Sequence, residues 1–219
     1  MVVAEDEPER AGRRRARGEL RSALVAASFG LLSENGLAGF SVAELARRLG
    51  VSTAAPYRHF RDRDELLAAV STRAADDLTV AMRAAAEAAG SDPVDRFAAT
   101  AGAYVRFVSA RGAGFDVIFA PELRRLRDGD LAEAARGLTS LLLDLAQRAR
   151  SVGSLEALQL VEQVIALAHG YAALDTGGLL SSARLSDDDV AARATRGAAA
   201  LVRGGPPSKL ASNGGRGVL

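Results

Sequence analysis

The chain has 219 residues, a formal net charge of +1 and no cysteine. This length suits one large or two small domains that can bury a substantial core, and the lack of cysteine excludes disulfides and thiolate metal sites. The two histidines, His59 and His169, do not have the spacing of paired metal ligands, so we expect no metal and no other cofactor. No run of about eighteen apolar residues occurs, and the N-terminus is acidic before it is basic. The sequence therefore predicts a cytoplasmic protein with no membrane span and no secretory signal.

The positive charge is concentrated in one part of the chain. Residues 1–9 carry four acidic residues and no base, residues 10–65 carry eleven arginines against six acidic residues, and the rest of the chain is balanced at seventeen each. A local excess of arginine favours contact with nucleic-acid phosphates, although a solvated charged face has the same composition.

Helical signals occur along the whole chain, without a strand pattern or a repeat, and they predict an all-α protein of about nine helices. Residues 1–12 are polar and acidic and are predicted to be disordered. The first helix is predicted to open with a basic cluster and to end near Asn35-Gly36. The position of the cluster favours a phosphate contact, or an arm in the minor groove, over an ordinary basic tail. The cluster consists of Arg13, Arg14, Arg15 and Arg17.

A capping box predicts the start of the second helix. In Ser41-x-x-Glu44 the serine hydroxyl accepts from the Glu44 amide, and the carboxylate reaches back to the Ser41 amide. Phe40 and Leu45 stand at the two ends of a hydrophobic staple. Gly50 ends the helix, because glycine adopts the left-handed conformation without a steric penalty.

A third helix, which is short, is predicted at residues 54–59, after a three-residue turn. Ser52 or Thr53 can cap it. Pro56 has no amide proton and fits only in the first helical turn, which favours Thr53 as the cap and a distorted start. A helix, a glycine turn and a short helix with exposed polar residues form the helix-turn-helix layout, whose second helix lies in the major groove.

Three motifs follow one another in register with these caps: a Gly-Val-Ser turn, a Tyr-Arg-His-Phe block and an Asp-Arg-Asp-Glu-Leu-Leu helix start, in which Asp62 and Glu65 form a further capping pair. Residues 41–67 thereby resemble the DNA-binding core of TetR-family regulators more than a structural helical hairpin. The resemblance implies that base edges are contacted by Thr53, Ala54, Ala55, Tyr57 and His59, that phosphate or a neighbouring guanine is contacted by Arg58 and Arg63, and that Ser41 and Ser52 belong to the same surface.

Side-chain chemistry supports part of this set. The Thr53 hydroxyl can bind a base or a phosphate, the two alanines can touch thymine methyls, and a tyrosine hydroxyl is a usual phosphate partner. Tyr57 can instead pack in the core of the small head, and His59 can bind phosphate as a neutral donor. Phe60 is assigned to the core.

The resemblance divides the chain into a helix-turn-helix DNA-binding domain at residues 13–63, a helical effector-binding and dimerisation domain at residues 64–203, and a disordered tail at residues 204–219. Helices of the second domain are predicted at residues 64–89, from Pro93, at 130–150, from Ser154 as a cap to Gly177-Gly178, and from Ser186 with Asp189 as its capping pair. In TetR-family proteins the last two helices usually form a four-helix dimer interface, and Ala198 is expected there. The His169-Gly170 segment resembles a motif of one branch of the family.

A small-molecule effector site is expected among the aromatic residues of the second domain, although such residues more often form a core. Few buried ionisable groups are evident, so an apolar or aromatic effector is expected. The candidate ligand-binding residues are Phe97, Phe107, Phe115 and Phe119, with Tyr104, His169 and Tyr171 as polar partners.

The sequence thus predicts a TetR-like transcriptional regulator, a homodimeric repressor that a small-molecule ligand releases from palindromic double-stranded operator DNA. One rival is an effector-free DNA-organising helical protein, which would show little sequence preference. Another is an all-α enzyme, which would need a converging acid and base. No H-E-x-x-H motif, nucleophile elbow or phosphate loop occurs in the sequence, so no catalytic residue is predicted.

Overall fold

The computed structural model of the protein describes residues 7–111, 128–180 and 185–204, with side chains from residue 18 onward. Within these ranges the chain forms seven α-helices and one 3-10 turn and no strand, which confirms the all-α class, although about nine helices were predicted. Phe115 and Phe119 lie outside the described residues. The elements are α1 Glu7–Asn35, α2 Val42–Arg48, the 3-10 turn Pro56–Arg58, α3 Arg63–Ala88, α4 Pro93–Arg111, α5 Gly129–Arg150, α6 Ser154–Thr176 and α7 Asp187–Gly204.

The chain divides into two compact units. The first unit consists of Met1–Leu78 and Phe107–Leu138, and the second of Thr79–Arg106 and Thr139–Leu219. The predicted domain boundary at residue 64 coincides with the start of α3, whereas the division into units falls inside this helix. Each unit is described separately below.

The start of α2 confirms the Ser41 cap. The Ser41 hydroxyl accepts from the Glu44 amide at 3.3 Å, and Gly50 has the left-handed φ of 66° that ends the helix. The reciprocal half of the capping box is wrong. The Glu44 carboxylate accepts instead from Arg47, at 2.6 and 2.9 Å, and from Nε of Arg48 at 3.2 Å. Guanidinium groups supply charge-assisted hydrogen bonds, which are stronger than one from a backbone amide.

The ends of α1 and α3 follow local signals. Gly36, with a φ of 64°, ends α1 as predicted, but this helix begins at Glu7 rather than at Arg13. At the start of α3 the Asp62 carboxylate accepts from the Glu65 amide at 2.8 Å, and the Glu65 carboxylate accepts from the Arg61 amide at 2.7 Å. These bonds confirm the predicted capping pair and fix the direction in which α3 leaves the turn.

Two helix starts in the second unit show the same type of local control. The Asp92 carboxylate accepts from the amides of Val94 and Asp95, at 2.8 and 2.9 Å, ahead of α4. Ser186 and Asp189 cap each other ahead of α7, through an Asp189 amide to hydroxyl bond of 3.2 Å and a Ser186 amide to carboxylate bond of 3.0 Å. The Ser186 and Asp189 pair agrees with the prediction, and α4 begins at Pro93 as predicted.

The predicted Ser154 cap is wrong. Gly153 is the N-cap of α6 and makes no side-chain cap bond, while Ser154 is the first helical residue. The Ser154 hydroxyl accepts instead from the Gln147 side chain at 3.2 Å. A side-chain partner from the preceding helix therefore replaces the local backbone amide. The C-terminal end is as predicted, with Gly177 as C-cap and Gly178 at a φ of 77°.

Close helix contacts in the second unit rely on small residues. A Cβ atom added at Gly102 of α4 would lie 2.3 Å from the Thr195 hydroxyl and 3.0 Å from the Ala191 carbonyl oxygen. One added at Gly197 of α7 would meet Leu167 of α6 at 3.4 Å. Helix α7 therefore approaches α4 closely enough to require glycine at position 102, whereas a Cβ atom at position 197 would make an ordinary contact with α6.

Among the described residues, α6 is the one helix that is long and apolar enough to cross a membrane by length and composition. A third of its most apolar window is buried within the protein. Its buried residues include Ala157, Val164 and Ala168. Helix α6 therefore packs within the chain through small and branched residues on one side, while the rest of its apolar window is not buried within the chain.

Candidate nucleic-acid interface

The segment between α2 and α3 is a 3-10 turn and not the predicted short α-helix. The Ala55 amide donates to the Ser52 carbonyl at 2.9 Å, and the His59 amide donates to the Pro56 carbonyl at 2.9 Å. Thr53 does not cap this turn, because its N-cap is Ala55 and no side chain caps it. Pro56 is the first residue of this turn, a position at which a missing amide proton is tolerated.

This turn places one set of side chains in solvent and another in the core. Tyr57 is 55% exposed, which rules out its alternative assignment to the core. Phe60 is buried, as predicted. His59 is half-buried. The exposed residues of this segment are Ser52, Thr53, Ala54, Tyr57 and Arg58.

Ala55 differs in exposure from the other small residues of the predicted contact set. It is 9% exposed, beside the buried Pro56. Its methyl group lies in the interior of the head, which does not favour the predicted contact with a thymine methyl. Sequence reasoning could not separate Ala54 from Ala55, because the two residues are identical and only the geometry of the turn decides which one faces inward.

Arg63 is a predicted DNA contact whose guanidinium contacts the head itself. Nε donates to the Phe40 carbonyl at 3.3 Å, and Nη2 donates to the Leu37 carbonyl. The guanidinium carbon lies 5.8 Å from the centre of the Phe40 ring, and Nη1 lies 3.7 Å from Asp64. Arg63 therefore ties the start of α3 to the α1–α2 connection, and a phosphate would have to compete with these partners.

Other arginines of the basic segment are also paired within the head. Arg48 joins α2 to α1 through the Glu34 carboxylate, with one bond of 2.8 Å. Hydrogen bonds from Arg47 and Arg48 lower the pKa of Glu44 to about 2, and the hydrogen bond from Arg48 lowers the pKa of Glu34. Part of the local positive charge thus stabilises the arrangement of α1 and α2. Helix-turn-helix geometry needs this arrangement to be fixed.

Ser41 and the basic cluster near the start of the chain are the other predicted DNA contacts. Ser41 is exposed at the start of α2, and its oxygen caps the helix, so its O–H can still donate to a phosphate at that helix end. The side chains of the basic cluster at the start of the chain lie outside the described side chains. That cluster consists of Arg13, Arg14, Arg15 and Arg17.

The predicted effector residues do not form one described site. Phe97 and Tyr104 are buried in the second unit, and the Tyr104 hydroxyl lies 3.1 Å from Nδ1 of His169, with the two rings edge to face at 6.3 Å. Tyr171 is half-buried in the same unit. Phe107 belongs to the first unit, where the Arg111 guanidinium carbon lies 4.9 Å from its ring centre. The structure therefore brings Tyr104 and His169 together and assigns Phe107 elsewhere.

A cleft of about 560 Å³ lies in the first unit, lined by residues of α1, α3 and the end of α4. Among the described residues, none of the predicted ligand-binding side chains lines it. This cleft could not be predicted from the sequence, because its walls come from three helices that are distant in the chain and because its lining is mostly small or charged.

Two family models match the chain. "Bacterial regulatory proteins, tetR family" matches residues 24–70, and "Tetracyclin repressor-like, C-terminal domain" matches residues 97–201. Together they span more than half of the sequence. The chain belongs to the TetR family. It is accordingly a DNA-binding transcriptional regulator, as the resemblance predicted, and regulators of this family are generally not enzymes.

Solved structures of the same fold support this assignment. A protein of unknown function from Rhodococcus sp. RHA1 is 33% identical, with a TM-score of 0.67, over 84% of this chain and 94% of that one. A transcriptional regulator from the same organism is 26% identical, with a TM-score of 0.62, over 84% and 96%. FadR from Bacillus subtilis, solved in complex with stearoyl-CoA, shares the fold at 12% identity and a TM-score of 0.60, over 85% and 99%. No curated protein sequence matches the chain.

Proposed function

We propose that this TetR-family protein is a cytoplasmic homodimeric repressor that binds a palindromic operator and leaves it when a small molecule binds. The observation that carries the DNA-binding part is the turn between α2 and α3. It presents Thr53, Ala54, Tyr57 and Arg58 to solvent while Phe60 anchors it in the core. An exposed polar surface on a rigid support is the arrangement that reading base edges requires.

The side chains of this surface differ in length, and therefore in which part of the DNA they can contact. Thr53 and Ala54 lie at the start of the turn, where short side chains can approach base edges only if the backbone enters the major groove. Tyr57 and Arg58 extend further and reach phosphate, with Arg58 also able to bind guanine through a bidentate pair. The head would therefore read few base positions directly and take much of its affinity from the backbone.

Dimer formation is proposed through α6 and α7. Leu155, Leu158 and Leu174 of α6 are large apolar side chains that remain exposed within one chain. Ala198 of α7, expected at this interface, is fully buried inside the second unit and packs within the chain instead. The exposed leucines of α6 are the better candidates, because apolar side chains in solvent gain most from burial against a second copy.

A dimer with two-fold symmetry presents two heads, so the operator should be a palindrome with half-sites about one helical turn apart. Release by a ligand needs a coupling of roughly 1–3 kcal/mol between the two sites. The buried Tyr104 with its His169 partner offers a polar contact for an effector in the second unit. FadR from Bacillus subtilis, solved in complex with stearoyl-CoA, is an example of this fold holding a ligand with a long apolar acyl chain.

Selection of binding sites from random-sequence duplexes tests this function. We expect the purified protein to enrich a palindrome, and sedimentation of the complex to show a dimer on each duplex. Recovery of duplexes without a shared sequence would favour the effector-free DNA-organising protein over a repressor.

A further inference from the structure

The cleft of the first unit contains none of the residues proposed above for DNA or effector binding. Its volume of about 560 Å³ falls in the range of small-molecule sites, roughly 300–1,000 Å³. Val25 and Phe29 of α1 and Ala69 of α3 supply apolar lining, while Arg73 and Arg111 supply charge. A ligand in this cleft would meet apolar surface and cations together.

The charges around the cleft leave one positive charge in excess. Arg21, Arg73, Arg111 and Asp76 line it. Nε of Arg73 lies 2.9 Å from each oxygen of Asp77, and Nη2 of Arg111 donates to the same carboxylate. Two guanidinium groups therefore share Asp77. Arg21 contacts the Phe60 ring, with its guanidinium carbon 4.9 Å from the ring centre. Counted together, the three guanidinium groups and the carboxylates of Asp76 and Asp77 leave one positive charge in excess, and a singly charged anion complements it.

Arg111 is held in a fixed orientation. Its guanidinium carbon lies 4.7 Å from the centre of the Phe29 ring and 4.9 Å from that of Phe107, so the group is stacked between two aromatic rings. Together with its bond to Asp77, this leaves the planar group little freedom. A preorganised guanidinium binds a carboxylate with less loss of entropy than a free one does.

We propose that this cleft is a ligand site for an organic monocarboxylate with a small apolar or aromatic body. The carboxylate binds the guanidinium groups of Arg73 and Arg111, and the body lies against Phe29 and Ala69. Such a ligand touches α1, α3 and α4 at once and therefore stabilises the first unit. The site is independent of the effector site proposed in the second unit.

Gly30 provides a direct way to fill the cleft. It lines the cleft on α1, and an added Cβ atom there meets nothing within 4 Å. Gly30→Leu therefore places a larger side chain on a wall of the cleft, with a Cβ atom that displaces no protein atom, and it replaces a poor helix former. Gly137→Leu is the matched control, since Gly137 is an exposed helical glycine on α5 that also has open space and does not line the cleft.

Isothermal titration of the full chain with 4-phenylbutyrate measures the binding, with 4-phenylbutanamide as the uncharged analogue and inorganic phosphate as the anion without an apolar body. We expect saturable binding of the carboxylate with equal Kd for the wild type and Gly137→Leu. We expect Kd to rise at least tenfold for Gly30→Leu and about fivefold for the exposed variant Arg73→Gln, and we expect both analogues to bind at least tenfold more weakly than the carboxylate.

The proposal is overturned if the wild type gives no saturable heat with 4-phenylbutyrate, or if Gly30→Leu keeps the wild-type Kd. Equal affinity for the amide would overturn the assignment of a carboxylate site. Equal affinity for inorganic phosphate would overturn the apolar part of the ligand. Operator binding is not part of the measurement, so the result does not depend on the proposed repressor function.

Discussion

Replacing Arg63 by methionine separates a structural arginine from a DNA-contacting one. Methionine keeps most of the apolar stem and removes the bonds to the Phe40 and Leu37 carbonyls and the contact with the Phe40 ring. A hydrogen bond from a charged donor contributes about 1.5–3 kcal/mol, and a cation–π contact at a partly exposed site about 0.5–1 kcal/mol. The Arg63 side chain is 40% exposed, so water replaces part of these contacts, and we expect a net loss of about 2 kcal/mol.

Urea unfolding measures this loss. With an m value of about 1–3 kcal/mol/M, the midpoint for Arg63→Met should fall by roughly 1 M. Arg61→Met is the matched control, because it removes the same charge from a side chain that is 83% exposed and paired with Asp62. Exposed pairs of this kind contribute about 0–1 kcal/mol, so the midpoint for Arg61→Met should stay close to that of the wild type.

Salt dependence of DNA binding provides the second half of the test. A lost cationic phosphate contact flattens the slope of log K against log salt by about 0.9 on duplex DNA. We expect Arg63→Met to keep the wild-type slope. A slope flatter by about 0.9, with an unchanged urea midpoint, would refute the structural role and restore Arg63 to the DNA-contact set.

Three further predictions concern packing, assembly and pH. Gly102→Ala should unfold about 1–3 kcal/mol more easily than Gly137→Ala in urea, because both gain helix propensity but only the first is overpacked; equal stabilities would refute the close α4–α7 crossing. Leu158→Arg should shift sedimentation toward monomer while Ala132→Arg, on α5, leaves a dimer; two unchanged dimers would exclude Leu158 from the interface. The folded pKa of Glu44 is about 2, below its ordinary value of 4.5, so its stabilising contribution is present above about pH 4.5 and is lost as pH falls towards 2. In Glu44→Gln the free energy of unfolding should therefore depend less on pH in that range. A pH dependence equal to that of the wild type would contradict the arginine pairing.

Local sequence patterns predicted most helix ends correctly. Ser41, Asp62 and Ser186 act on amides three positions ahead, so their roles depend on neighbouring residues alone. The Ser154 cap was wrong because a partner from another helix, Gln147, takes its hydroxyl. Interactions across the chain are the type of information that a short pattern lacks.

In the candidate interface, too, some features were predicted from neighbouring residues and others were not. The exposure of Thr53 and Tyr57 and the burial of Phe60 agree with the sequence-based assignments. The inward orientation of Ala55 belongs to the 3-10 geometry of this turn, and the sequence predicted only a distorted helix there. The cleft between α1, α3 and α4 was missed entirely, because no single segment contains its lining.

The measurement that tests the central claim most directly compares Thr53→Ala and Tyr57→Phe on the selected palindrome and on random duplex DNA. Thr53→Ala should cost about 1–3 kcal/mol on the palindrome and relax one base position, with random-sequence binding unaltered. Tyr57→Phe should weaken binding to both DNAs equally, because a phosphate contact carries no base information. If both variants keep the wild-type ratio of specific to random binding, this turn does not read sequence, and the account of a sequence-specific repressor is contradicted.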